Sequence, residues 1–414
     1  MSMPDEALRE HVASLPIESF DVSQPALFEN DTVEAYFARL RDEAPVHFCP
    51  RSAYGPYWSI TRYADIISVD ANHRDFSSDA FKGGAIMFDF PKGHERPNFM
   101  HMDPPEHDAK RKVVSPIVAP ANLARLEDLI RERVDDILDN LPRGEVFNWV
   151  DRVSIELTSR MLATIFGFPY DERRRLIEWS EIATHDINTG GPIDSEEKRR
   201  AALQPCLEAF TELMRQRAAE APRADLISML AHSPRTNAMS PQEFLATMTL
   251  LIIGGNDTTR NSITGGLLAM HEHPDQWRKL RENPALVTTA VSEIIRWQTP
   301  LSHMRRNTVT DVQVNGQMIP AGSKVIMWYL SGNRDERAIE NPHAFVIDRP
   351  RARQHLSFGF GVHRCVGNRL AEMQLRLLWE GILARGLNIE VTGPARRVRS
   401  NLIHGFSQMP VIVH

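Results

Sequence analysis

The stretch from Ser240 to about His273 constrains the fold of this chain more than any other. Ser240-Pro241-Gln242-Glu243 places a capping hydroxyl, a proline at the first helical position and a glutamate that completes a capping box. No further proline occurs until Pro274, so the pattern predicts one helix of about 50 Å, long enough to cross the whole molecule. Everything else has to pack around it. Gly254 and Gly255 fall in its middle, where each costs about 1 kcal/mol relative to alanine. That cost brings no local benefit, so something must use the space they leave.

Around this axis the sequence reads as mainly α with small β-sheets. Apolar residues recur near helical spacing over 123–141, 154–166 and 203–219. A further helix is expected from Asn283-Pro284 to just before Pro300, and another from Cys365 to near Gly386. Strand-like pieces occupy 57–60, 309–314, 324–329 and 411–413, with a turn at Asn315-Gly316. Residues 16–115 look irregular and include a Gly-, Pro-, Phe- and Met-rich loop over 82–105, and long loops of that kind are usually functional. No repeat or linker divides the chain, so one domain over 1–414 is expected.

Of the 414 residues, 42% are hydrophobic and 25% charged, which excludes a disordered or fibrous chain. The net charge of -6 gives no global field for nucleic acid or anionic membrane. Cys49, Cys206 and Cys365 are too few and too scattered for a disulfide scaffold or a cysteine metal cluster. The first residues, MSMPDEALREHVASLP, hold no signal-peptide core, and no run reaches the ~20 apolar residues of a membrane span. The expectation is a cytoplasmic protein without a membrane anchor.

Chemistry concentrates in Phe358-Gly-Phe-Gly361-Val-His363-Arg-Cys365-Val-Gly367. Its glycines allow a tight turn and a close approach to a flat ligand, and Cys365 falls where a following helix would offer amide donors to a thiolate. A cysteine so placed is a metal ligand, a nucleophile or simply a small buried hydrophobe. The loop as a whole resembles the haem-binding loop of the cytochromes P450, Phe-x-x-Gly-x-(Arg/His)-x-Cys-x-Gly, at every defined position. That resemblance implies the P450 fold, haem b between the long helix and the helix after the loop, Cys365 as the proximal iron ligand, and Phe358, His363 and Gly367 as loop contacts to the haem.

Other segments resemble the family in the expected order. Gly254-Gly-Asn-Asp257-Thr258-Thr corresponds to the oxygen-binding groove, which implies that Gly254 borders haem and that Asp257 and Thr258 deliver protons to bound dioxygen. Asp103-Pro-Pro-Glu-His107-Asp-Ala-Lys-Arg111 and Arg306 correspond to haem-propionate contacts, with Arg305 an alternative to Arg306. Glu293-Ile-Ile-Arg296, with Arg349, corresponds to a structural ion-pair trio. The resemblance implies a monooxygenase that uses O2 and two electrons from a 2Fe-2S ferredoxin served by an NAD(P)H-dependent reductase. A basic docking patch is expected from Lys110, Arg111, Lys112, Arg364 and Arg369, with Arg111 drawn towards a propionate. The stretches around Gly254 and Cys365 are most similar to bacterial alkane and fatty-acid terminal hydroxylases. This favours omega-hydroxylation of a medium- or long-chain alkane or fatty acid, with a terpenoid or steroid side-chain hydroxylase as the alternative and a haem sensor without turnover as a remote one.

By position, Ile86, Met87, Phe88, Leu250, Ile253, Leu301, Met304 and Phe406 are the expected pocket wall, almost without charge. An apolar core has the same composition as an apolar pocket, so each residue has core packing as its alternative. His271, His273 and Asp275 read as a helix end rather than a metal site. Gly359-x-Gly361 lacks the rest of a dinucleotide-binding fingerprint.

Overall fold

A computed structural model describes residues 6–414. The principal helices are α1 (Glu106–Val114), α2 (Pro120–Asp139), α3 (Glu156–Phe166), α4 (Arg174–Thr184), α5 (Glu196–Ala219), α6 (Pro241–Glu272), α7 (Val287–Gln298) and α8 (Asn368–Ala384). The expected long helix is α6, 32 residues, with the Ser240 hydroxyl accepting from the Glu243 amide at 3.2 Å. It packs against α3, α4, α5, α7 and α8. Its residues are therefore buried nearly all round and lack the clean apolar stripe of a surface helix.

The main apolar core joins α2, α6, α7 and α8 through residues such as Ile130, Ile263, Ile294, Leu378 and Trp379. A second core fills the space between α3, α4, α5 and α6 around Phe166, Phe210, Leu230 and Ile252. A five-stranded sheet is built from β1 (Val46–Cys49), β2 (Tyr57–Ile60), β3 (Phe76–Ser77), β4 (Met304–Thr308) and β5 (Lys324–Met327), in the order β1-β2-β5-β4-β3. Only the β2–β5 pair is parallel. A two-stranded hairpin, Val312–Val314 with Gln317–Ile319, turns at Asn315 and Gly316, both in the left-handed region at φ 47° and 79°.

Several boundaries differ from the sequence expectation. The strand expected over 309–314 is confined to Val312–Val314, and a separate strand, β4, precedes the expected range and pairs with β5. The expected helix start at 154 lies inside a π-helical turn, Val150–Ile155, and α3 begins at Glu156. Helix α5 begins seven residues before the expected 203 and carries Pro205 inside it. The region expected to be irregular contains helices Val33–Glu43 and Tyr63–Ala71, whose buried faces (Val33, Phe37 and Leu40; Ile66, Val69 and Asp70) do follow helical spacing. The loop over 82–105 is largely irregular, as expected, with one 3-10 turn at Phe99–His101. Among the described residues no helix is long and apolar enough to cross a membrane.

Candidate haem-thiolate site

The Cys365 loop is held by a residue far away in sequence. Asp70, at the end of the helix Tyr63–Ala71, accepts from the Phe360 amide at 2.8 Å and the Tyr329 hydroxyl at 2.8 Å on one oxygen, and from Arg306 at 2.5 Å on the other. Gly359 and Gly361 take φ of 65° and 64°, and a side chain at Gly361 would collide with the Asp70 carbonyl oxygen. The loop closes where the Cys365 amide donates to the Phe358 carbonyl at 2.8 Å, three residues before α8 begins. Of the three cysteines, Cys49 and Cys206 are buried, and Cys365 alone is open. Burial of the surrounding loop pushes its thiol up, against the pull of the Gly367 and Asn368 amides and of Arg111 and Arg364. A bound metal ion would supply the missing stabilisation of the thiolate.

The two glycines of α6 do different work. A Cβ on Gly255 would lie 2.7 Å from Leu162, so Gly255 lets α3 approach; a Cβ on Gly254 would meet nothing within 4 Å. Gly254 therefore faces open space. One turn on, Thr258 donates its hydroxyl back to the Gly254 carbonyl at 3.0 Å. Asp257 is fully buried and does not reach that hydroxyl. Its carboxylate pairs with Arg260 at 2.6 Å and accepts from the Ser180 hydroxyl of α4, while Arg260 continues at 3.1 Å to Glu181, which is 58% exposed. The result is a polar path from the surface to the helix turn that carries Thr258, on the buried face rather than a solvated one.

A cluster of buried donors lies beside the Cys365 loop. His107 and His363 stack edge to face with ring centroids 4.4 Å apart, and the Nε2 atom of each is buried without a hydrogen-bond partner. His101 is buried with both ring nitrogens unpartnered. Burial and then the neighbouring cations push these imidazoles down: His101 to about 3, with Arg96, Arg305 and Arg306 acting on it, and His363 further still, with Arg306, His107 and Arg111 acting on it. Unpaired donors crowded by positive charge call for an anion, and the carboxylates of haem b match that donor set. Together with the open thiol of Cys365 and the open face of Gly254, these donors fit haem.

Arg306 is the member of its pair that faces this cluster. On β4 alternate side chains point to opposite faces, and Arg305 turns away to Asp89 at 2.5 Å and Asn307 at 2.8 Å. Arg111 differs from the expectation, since its guanidinium donates to the Arg364 carbonyl at 2.5 Å and so ties α1 to the Cys365 loop. Lys110 does not join a patch with Lys112, Arg364 and Arg369, because it pairs with Glu243 at the start of α6. Glu293, Arg296 and Arg349 form the expected trio: both arginines contact the Glu293 carboxylate, at 2.7 and 3.0 Å, in a fully buried setting.

The expected pocket wall divides. Ile86 and Phe88, Leu250 and Ile253 on α6, and Leu301 before β4 are half-buried. Phe406, in contrast, is 2% exposed and belongs to the main core, its ring covered by Arg397 at 4.1 Å and its amide tied to Asn261 at 2.9 Å. Met304 is buried with the sheet, and Met87 packs into the N-terminal core with Asn401 on its sulfur at 3.6 Å. The space beside Ile86 and Phe88 is also less apolar than expected, because Arg199 and Asp186 line it. Asp70, Tyr329 and His101 were missed from the sequence: Asp70 ends a short helix in a region that looks irregular, and nothing local marks its role.

An exposed cysteine in a glycine-turned loop, unpartnered buried donors beside it and an open glycine on the long helix define a haem-thiolate site. The family model for Cytochrome P450 matches residues 191–386. Over 406 residues the chain is 34% identical to linalool 8-monooxygenase of Pseudomonas putida, covering 96% of this chain and 99% of that protein. It is 31% identical to a steroid C26-monooxygenase of Mycolicibacterium smegmatis, over 90% and 89% of the two chains. The structure of cytochrome P450-153 from Novosphingobium aromaticivorans superposes with a TM-score of 0.91 at 42% identity, covering 95% of this chain and 99% of that one. The chain belongs to the cytochrome P450 family and is a haem b-dependent monooxygenase.

Proposed function

We propose that this enzyme hydroxylates the end of a medium- or long-chain alkane or fatty acid, with electrons from a 2Fe-2S ferredoxin and its NAD(P)H-dependent reductase. The observation that carries the reading is the opening at Gly254, with the half-buried Leu250 and Ile253 just before it on α6, within a structure superposing at 0.91 on cytochrome P450-153. Haem, when bound, supplies the activation of dioxygen from which one oxygen atom enters the substrate.

The chain's own residues supply the rest. Cys365 ligates the iron, and Gly367 and the Phe358 carbonyl fix its loop. His107, His363 and Arg306 hold the propionates, with Arg111 anchoring α1 to the loop beside them. Thr258 presents a hydroxyl at the Gly254 opening, and Asp257, poised by Arg260 and Ser180, passes protons from the Glu181 surface towards it. Terminal attack requires geometric restriction, because internal C–H bonds are weaker. Ile86, Phe88, Leu250, Ile253 and Leu301 are placed to restrict approach to a chain end. Lys112, Arg364 and Arg369 are the exposed cations beside the Cys365 loop suited to an acidic ferredoxin.

The test is a panel of linear alkanes, fatty acids and terpenoids, scored for spin-state change on binding and for the position of the new hydroxyl. Terminal alcohols from linear chains support the reading. The similarity to linalool 8-monooxygenase favours a second one, a terpenoid or steroid side-chain hydroxylase. Turnover of a terpenoid or steroid with linear chains inert would select it.

A further inference from the structure

We propose that His303 is the head-group contact of the substrate pocket, selecting chains that carry an uncharged oxygen function, an alcohol or a carbonyl, over plain hydrocarbons and carboxylates. This rests on the linear-chain reading above. His303 lies in the turn between α7 and β4 and is 0% exposed. Its ring packs edge to face on Trp328, with centroids 4.9 Å apart and planes at 71°, and Trp328 is itself fixed by a 3.1 Å bond from its indole N–H to Ser59. The imidazole is thus held rigidly. Yet neither ring nitrogen makes a hydrogen bond of full geometry, and the one polar side chain beside the ring, Asn401, only weakly favours its charged form against burial. A buried unpartnered donor and acceptor cost stability that phenylalanine or leucine in the same place would not.

His303 is one of the residues around a cavity of about 50 Å³ that also takes in Ile86, Met87 and Phe88 and the polar Asn401, Arg199 and Asp186. Fifty cubic ångströms holds a few water-sized groups, so it takes a head group and not a ring system. The Tyr54 hydroxyl bonds Asp186 across one edge. Burial drives His303 down to about 4, so at neutral pH it offers one N–H and one lone pair, the complement of an alcohol. A carboxylate fits poorly, because the single Arg199 guanidinium is bound to Glu196 at 2.6 Å and Asp186 adds a second negative charge.

The test uses the haem-loaded enzyme with dodecane, 1-dodecanol and dodecanoate, measuring dissociation constants by spin-state titration and melting temperature without ligand. Wild type should bind 1-dodecanol tightest. His303→Phe should weaken 1-dodecanol about three- to tenfold relative to dodecane, the range of one net hydrogen bond, while melting at or above the wild-type temperature. His303→Asn, which keeps a donor near the Nδ1 position, should restore part of the preference and decides the matter should the Phe variant fail to load haem. Equal effects on dodecane and 1-dodecanol, or dodecanoate as the tightest ligand of wild type, would overturn the role of His303 while leaving linear-chain hydroxylation intact. Failure of all three probes to bind, with a cyclic terpenoid binding instead, would remove the linear-chain reading and this inference with it.

Discussion

Replacing Glu293 by glutamine keeps its shape and removes only its charge, and the consequence follows from the geometry. Oε2 accepts from Arg296 Nε at 2.8 Å and Arg349 Nε at 3.0 Å, and Oε1 accepts from Arg296 at 2.7 Å, Arg349 at 3.2 Å and the Val346 amide at 2.9 Å. An amide nitrogen at the Oε2 position faces two donors, and at the Oε1 position three. At least two charge-assisted bonds of about 1.5–3 kcal/mol each are therefore lost, consistent with about 3–5 kcal/mol for breaking a buried ion pair. Burial raises the Glu293 pKa, but the bonds and charges of the two arginines outweigh it and hold the group below the usual carboxylate range. A lowered folded-state pKa contributes stability that is full above the ordinary value near 4.3 and is lost as pH falls through the folded value. Urea unfolding of Glu293→Gln followed by circular dichroism should show the ~3–5 kcal/mol deficit at pH 7, with the gap to wild type closing in acid. A deficit under about 1 kcal/mol at pH 7, or a gap that stays constant into acid, would refute the claim that this carboxylate holds the two arginines.

Cys365→Ser should abolish the thiolate signature of the reduced carbon monoxide spectrum, and an unchanged spectrum would exclude Cys365 as ligand. Thr258→Ala and Asp257→Asn should each retain haem while lowering product per electron and raising peroxide, Asp257→Asn slowing turnover about 10²-fold as loss of a proton-transfer group does; unchanged coupling would remove the relay. Gly254→Ala should stabilise α6 by up to about 1 kcal/mol while reducing turnover, whereas Gly255→Ala, pressed against Leu162, should lower the melting temperature. Electron transfer from an acidic ferredoxin should slow as salt rises and fall further in Lys112→Ala or Arg364→Ala than in Lys110→Ala, whose side chain is held by Glu243.

What the sequence revealed was whatever its local pattern determines. Helix α6 announces itself by cap, proline and length, and the Cys365 loop by glycines whose positive φ its turns require. The Glu293 trio was legible because two members are three residues apart on one helix. Asp70 and His101 were not, because what surrounds them arrives through tertiary packing, Phe360 lying 290 residues from Asp70. Phe406 shows the opposite failure: a bulky apolar residue near the C-terminus suits a pocket wall and a core equally, and only its contact with Arg397 and Asn261 places it in the core. Lys110 and Arg111 were legible as cations but not by direction, since neighbouring helix positions point to different sides and each found its own partner.

The Asp70 carboxylate has a mechanical consequence. Its three partners belong to the Cys365 loop, to the segment after β5 and to the strand that carries Arg306. One side chain thus joins these pieces, so a displacement of the helix Tyr63–Ala71 would shift the Cys365 loop and Arg306 together. The placing of the Cys365 loop thus depends on a carboxylate that lies almost three hundred residues away in the chain.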